Sequence, residues 1–164
     1  MQAGGLRPAL PRLFARWAQP FGRWFEAGVD AEAVRFVPLS ASDRFAALNE
    51  GRIDVLWRNS SWTMSRDAGE GFVFAGVNYY DGQGFLVRRS LSLNSATELN
   101  GARVCVQAGS TAQANADDFF RSRGIPYRPV VLPTEEAARD AYGREDCDAL
   151  SADISALAAS RAVL

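Results

Sequence analysis

The chain has 164 residues, 48% of them apolar and 23% charged, which is the size and balance of one globular domain or two small lobes. A formal net charge of −1 and a pI near 5.5 argue against a nucleic-acid partner, and no apolar run approaches the roughly eighteen residues of a membrane span. There is no histidine, which excludes Ser-His-Asp and Cys-His catalysis and removes the commonest metal ligand; the two cysteines could hold zinc only if carboxylates completed the set.

Residues 1–33 differ from the rest. Arg7, Arg12, Arg16 and Arg23 precede the first acid, and Pro8, Pro11 and Pro20 interrupt the segment. Leu10, Leu13, Phe14, Trp17, Phe21, Trp24 and Phe25 fall near helical spacing, which predicts one or two amphipathic turns packed on the body, with a position on a membrane surface as the alternative. Pro20 ends or kinks any helix there. No secretory signal is expected, because Arg and Pro break every candidate apolar core.

From Val34 the pattern becomes regular. VRFVPL (34–39) reads as a strand, Ser42 to Glu50 as a helix with Ser42 as N-cap and Gly51 in the left-handed position at its end, and IDVLWR (53–58) as a second strand. Phe72 to Val77 leads into NYYDGQGFLVRRS, where Asp81-Gly82 and Gly84 mark a bend before a strand. Then follow strand Arg103–Gln107, helix Ala112–Arg123, strand Arg128–Leu132, helix Thr134–Tyr142, strand Asp148–Ser151 and a last helix from Asp153. This alternation predicts an α/β protein with a parallel sheet covered by helices.

Three polar segments follow predicted strands, where ligands sit in such sheets. In DVLWRNSSWTMSRD (54–67), Asn59, Ser60, Ser61 and Thr63 offer hydrogen bonds and Arg66 offers a planar fork suited to a carboxylate; the same pattern also reads as a helix cap. QAGST (107–111) sets a Gly-Ser-Thr turn at a helix N-terminus, with free N–H groups, the positive dipole end and two hydroxyls. DALSAD (148–153) ends on Asp153, either an N-cap or a buried acceptor for an ammonium group. An arginine and hydroxyls for a carboxylate, with a carboxylate for an amine, describe an amino-acid site. Cys105 and Cys147 lie in or beside predicted strands. They read equally as a disulfide closing a long loop, stabilising by about 3–4 kcal/mol, or as two buried thiols.

At these motifs the chain resembles the periplasmic solute-binding proteins of polar amino-acid ABC transporters, nearest the general L-amino-acid-binding branch. VRFVPLSASDRFAALNEGRIDVLWRNSSWTMSRD resembles that branch's first lobe, FAGVNYYDGQGFLVRRS the crossing between lobes, and GARVCVQAGSTAQANADDFF and CDALSADISAL the second lobe. The resemblance implies a two-lobed periplasmic-binding-protein type II fold with parallel-type sheets and an incomplete first lobe. Residues 1–33 are divergent, 34–88 form a partial first lobe with exposed apolar surface, and 89–164 a nearly complete second lobe. It implies a periplasmic, monomeric receptor that binds an L-amino acid and passes it to a membrane permease, with no catalytic residue, metal or cofactor. Carried over by position, Arg66 holds the α-carboxylate and Ser61 binds the same end of the ligand, with Asn59 as a neighbouring polar position. Ser110 and Thr111 clamp the carboxylate, and Asp153 receives the α-ammonium. Trp62 is placed in the core in preference to the ligand. The oxidising periplasm favours the Cys105–Cys147 disulfide.

Two departures from the family pattern set the alternatives. Residues 1–33 do not match the family's opening strand and Gly-Phe-Asp segment, which raises a frameshifted or misassigned start, and the chain stops inside a second-lobe helix. A truncated, non-binding fragment is therefore the runner-up. A sensor domain or an enzyme on the same fold ranks lower; Glu70, Glu98 and Glu135 stand in loop or helix-start contexts without a partner acid.

Overall fold

The computed structural model describes residues 34–77 and 79–164; the amphipathic turns expected within 1–33 lie outside them. The chain divides into two compact units, Met1–Pro38 and Leu39–Leu164. In the first, residues 34–38 form neither helix nor strand. Every helix and strand of the described residues lies in the second.

It opens with helix α1 (Arg44–Asn49). The chain is turned into this helix by Ser40, whose hydroxyl accepts the Asp43 N–H at 3.0 Å, and not by the expected Ser42, whose own hydroxyl bonds to that of Ser40. Gly51 takes the left-handed conformation at φ 68° as expected, and the N–H groups of Gly51 and Arg52 close the end on Leu48 and Ala47. The strands expected at 34–39 and 53–58 are absent. An extended segment becomes a strand only when a neighbouring strand takes its N–H and C=O groups, and no strand among the described residues pairs with either segment; Val55 stands 68% exposed. A single π-helical turn, Ser65–Gly69, follows and carries Arg66.

The sheet holds β1 (Gln83–Val87), β2 (Arg103–Gln107), β3 (Arg128–Leu132) and β4 (Ala149–Asp153), in the order β1-β4-β2-β3. β2 runs parallel to β3 and β4, but β1 pairs antiparallel with β4, Gln83 opposite Asp153. The sheet is therefore mixed. β1 joins β2 through two short 3-10 turns, Arg89–Leu91 and Ala96–Glu98, without the crossover helix that parallel neighbours need.

Side chains alternate across the strands and so separate two apolar layers. Val104, Val106 and Ala149 face one way, onto Phe120 and Ala116 of α2 (Thr111–Ser122). Cys105 and Leu150 face the other, onto Ala138, Ala141 and Tyr142 of α3 (Glu135–Gly143) and Leu157 of α4 (Ile154–Arg161). Helices thus cover both faces. Gly84 lets α4 approach closely, since a Cβ there would lie 3.3 Å from Leu157 Cδ1 and 3.4 Å from Ile154 Cγ1. Cys105 and Cys147 form a disulfide in the second layer, with Cα atoms 5.7 Å apart and 42 positions between them in sequence.

Parallel β2, β3 and β4 end along one rim, at Gln107, Leu132 and Asp153, and α2, α3 and α4 begin there. That rim holds the site.

Candidate functional site

A cavity of about 40 Å³ lies against the rim. Ser110, Thr111, Glu135, Ser151 and Asp153 line it from the sheet, and Arg44, Arg58 and Asn59 from the segment before it.

The Ser110 turn resembles a capping box shifted by one residue. Ser110 Oγ accepts the Gln113 N–H at 3.3 Å and donates to the Gln107 carbonyl at 2.7 Å, while the Gln113 side chain takes the Gly109 N–H. The hydroxyl proton of Ser110 is thus committed to the turn. Thr111 and Ala112, whose first-turn N–H groups have no intrahelical acceptor, line the cavity. Gly109 sits at φ 67°, and a Cβ there would lie 3.4 Å from Ser42 Cα, so the turn touches the loop before α1.

Asp153 occupies the N-cap position of α4 but makes no side-chain capping bond. Asp81, from the bend before β1, replaces it: its carboxylate accepts the Ser155 N–H at 3.3 Å and the Ser155 hydroxyl, and the Gly82 N–H at 2.8 Å. These bonds, Ser155 first, hold Asp81 below the usual carboxylate range. Asp153 is left facing the cavity. Burial and then the charge of Asp81 push its carboxyl up, so it is a carboxylate that gains from a cation. Beneath it, Gln83 ties the wall together, donating to Ser151 Oγ at 2.9 Å and to the Ala112 carbonyl at 3.0 Å.

Ser61 joins the two sides, its Oγ 3.1 Å from Thr111 Oγ1. Arg66 stands behind it, 7% exposed, donating from Nη1 to the Ser61 carbonyl at 2.9 Å. The ring of Phe45 receives two guanidinium groups, Arg66 at 4.8 Å and Arg44 at 4.5 Å. Arg44 is 3% exposed, donates to the Ala41 carbonyl and, at 3.3 Å, to the Gly109 carbonyl, and keeps a buried Nε without a partner. Burial, then the charges of Arg66 and Arg58, lower its pKa to about 10. Among the described residues, none of Arg44, Arg58 and Arg66 forms a salt bridge. The site is thus a cationic cluster within the field of Glu70, with Asp153 lining the same cavity.

Of the residues expected from sequence, Asn59, Ser110, Thr111 and Asp153 line the cavity, Ser61 touches its edge through Thr111, and Arg66 lies behind Ser61. Trp62 is not in the core: it is 50% exposed, stacks on Phe74 at 5.0 Å and donates Nε1 to Asp67. Arg44, Arg58 and Glu135 line the cavity without having been singled out as ligand groups. Arg44 reads as an ordinary helix arginine and Glu135 as a first-turn acid favoured by the helix dipole. Only Arg58, directly before Asn59, gave a usable signal.

No protein-family model matches the chain. Over 135 residues, 82% of this chain and 40% of the relative, it is 46% identical to the glutamate/glutamine/aspartate/asparagine-binding protein BztA of Rhodobacter capsulatus. Over the same share of each chain it is 44% identical to the general L-amino acid-binding periplasmic protein AapJ of Rhizobium johnstonii. A periplasmic binding protein of an ABC transporter from Brucella ovis, solved with glutathione bound, superposes with a TM-score of 0.74 at 47% identity, covering 82% of this chain and 43% of that one. The fold is that of periplasmic solute-binding receptors, of whose two-lobed architecture the chain covers part. Within that class, the chain is a homologue of the amino-acid-binding proteins of ABC transporters. It spans about two-fifths of the length of these curated relatives.

Proposed function

We propose that this chain supplies the ligand cleft of a periplasmic amino-acid receptor, which holds a free L-amino acid for an ABC permease and carries out no chemistry. One observation carries the reading: Asp153, relieved of helix capping by Asp81, shares a cavity with Thr111 and with Arg44 and Arg58, which form no salt bridge among the described residues. A zwitterion satisfies both sides. Its α-carboxylate is taken by Arg66 and Ser61 together with Thr111 and the N–H groups of the Ser110 turn, with Asn59 alongside, and its α-ammonium by Asp153. We assign residues 34–88 to the first lobe and its crossing, of which β1 already pairs with β4 in the sheet, and 89–164 to the second lobe.

At about 40 Å³ the cavity has room for about three waters. An amino acid enters only as the Arg58–Arg66 loop and the rim part and close again, the motion by which such receptors sequester a ligand. The test is calorimetric titration of the chain with an L-amino acid, its amide and its deaminated analogue. Binding of the intact amino acid alone supports the reading; equal binding of all three defeats it.

A second reading has its own observation. Met64, Val73 and Tyr80 are 82%, 93% and 87% exposed, so the first-lobe segment leaves apolar surface uncovered. Affinity depends on rigid walls, and a chain with a loose first wall binds weakly by itself. Hydrogen exchange separates the cases: low protection over 39–80 beside a protected 103–161 favours weak binding, and uniform protection opposes it.

A further inference from the structure

The bend that opens β1 fastens both ends of the site, yet Asp81 and Gln83 stand outside the residues lining the cavity. Asp81 holds the start of α4: its carboxylate takes the Ser155 N–H and hydroxyl, and the neighbouring Gly82 carbonyl takes the Ile154 N–H at 2.8 Å. Two positions on, Gln83 holds the start of α2. Both of its amide hydrogens are used, one on the Ala112 carbonyl in the first turn of α2 and one on Ser151 Oγ of β4. Its oxygen accepts from Asn115 Nδ2, also of α2, at 3.0 Å. Ser151, 1% exposed, donates in turn to the Gly84 carbonyl at 3.0 Å. Gln83 is also the residue that stands opposite Asp153 in the pairing of β1 with β4.

We propose that Asp81 and Gln83 are positioning residues that fix the separation between Thr111 and Asp153, and that this separation makes the site choose an α-amino acid over its β-amino isomer. The proposal rests on the amino-acid reading above, in which the α2 turn takes the carboxylate and Asp153 the ammonium. Those two groups belong to different elements, α2 and the end of β4, and the Gln83 side chain is bonded to both. A β-amino acid carries the same two charged ends one methylene further apart. The charges of the site suit it equally, so only a held spacing rejects it, and a spacing is held by the shell behind the contacting groups. Asp81 acts on the other end. Without its carboxylate the Ser155 N–H needs another acceptor, and Asp153, at the N-cap position, is placed to supply one. An Asp153 that caps its own helix is turned from the cavity.

Calorimetric titration of the whole chain with L-alanine, L-leucine and L-glutamate, each beside its β-amino isomer, tests this. The parent chain binds each α-amino acid at least about tenfold more tightly than its isomer. Gln83→Met keeps the length of the side chain, removes its hydrogen bonds and brings each pair to within about threefold. Gln83→Glu, which keeps the acceptor for Asn115 and loses both donors, gives the same result should the methionine variant not fold. Asp81→Ala narrows the ratio likewise, and Asp81→Asn, whose amide oxygen still accepts the Ser155 N–H, restores it. A loss equal for both members of each pair, as a purely structural role would give, overturns the assignment, and so does a ratio that no substitution moves. β-Isomers bound by the parent chain as tightly as α-amino acids also overturn it and leave the receptor reading standing. Binding of none of the six overturns both.

Discussion

Ser61 Oγ and Thr111 Oγ1 lie 3.1 Å apart although fifty positions separate them in the chain. The contact is the seam between the segment bearing Arg66 and the turn opening α2, and the Arg44 bond to the Gly109 carbonyl reinforces it. A hydroxyl pair at a partly exposed seam is worth about 0.5–1.5 kcal/mol. In a double-mutant cycle, Ser61→Ala and Thr111→Val should therefore show a coupling of about 0.5–1 kcal/mol in urea unfolding. Strict additivity would mean that the seam does not hold in solution.

Arg66→Ala should weaken amino-acid binding by about 10- to 100-fold, the value of charge-assisted bonds to a carboxylate. Because Arg66 is buried on Phe45 and bonded to the Ser61 carbonyl, the variant should also lose about 1–2 kcal/mol of stability. Circular dichroism melts and calorimetry measure the two effects separately. Unchanged affinity in a folded variant removes Arg66 from the site.

Asp153 sets a pH dependence whose sign can be worked out. Its carboxyl is raised in the free protein by burial and Asp81, and a bound ammonium would favour the ionised form and lower it. Binding therefore releases protons, and affinity falls as pH drops through the raised value of the free protein. Asp153→Asn should flatten this part of the profile and weaken amino acids more than their deaminated analogues. Equal losses for both ligand types count against the ammonium role.

Asp148 behaves oppositely. Its carboxylate accepts from the Arg103 side chain at 2.8 Å and from the Arg103 backbone N–H at 2.8 Å, and the side-chain bond above all holds it below the ordinary range. Stability from this contact is complete above the unfolded carboxylate's pKa and is lost as pH falls through the depressed value. Asp148→Asn should cost about 0.5–1 kcal/mol at neutral pH, from loss of the charge that strengthens both Arg103 bonds, discounted because the ion pair is partly solvated. The difference from the parent chain should vanish in acid urea titrations; a difference that persists there rules the contact out as the source.

Reduction of Cys105–Cys147, which spans 42 positions, should destabilise the chain by about 2–4 kcal/mol. Both sulfurs lie in the layer under α3 and α4, so near-ultraviolet dichroism should change with the melt. A melting temperature indifferent to reductant contradicts the pairing.

The second half of the fold was legible because its signals are local. β2 and β3 fall at the bounds read from sequence, and α2, α3 and α4 within a residue or two at their N-terminal ends, since alternation, caps and turns coincide there. The segments 34–39 and 53–58 misled because β-branched and aromatic residues state a preference that only a neighbouring strand can realise. The direction of β1 was hidden for a related reason, as an edge strand reads the same in either sense. At the site, the polar turns and Asp153 were visible as chemistry, but their division of labour was not. Asp81 caps α4 from 74 positions before Ser155, and Arg44 reaches Gly109 across 65. Such long-range substitutions leave no local trace.

The most direct measurement is a thermal melt of the purified chain, alone and with each common L-amino acid in turn. A cooperative transition raised by several of them, and not by amines or acids that lack the other α-group, is the expected result. A transition that no amino acid shifts would contradict it.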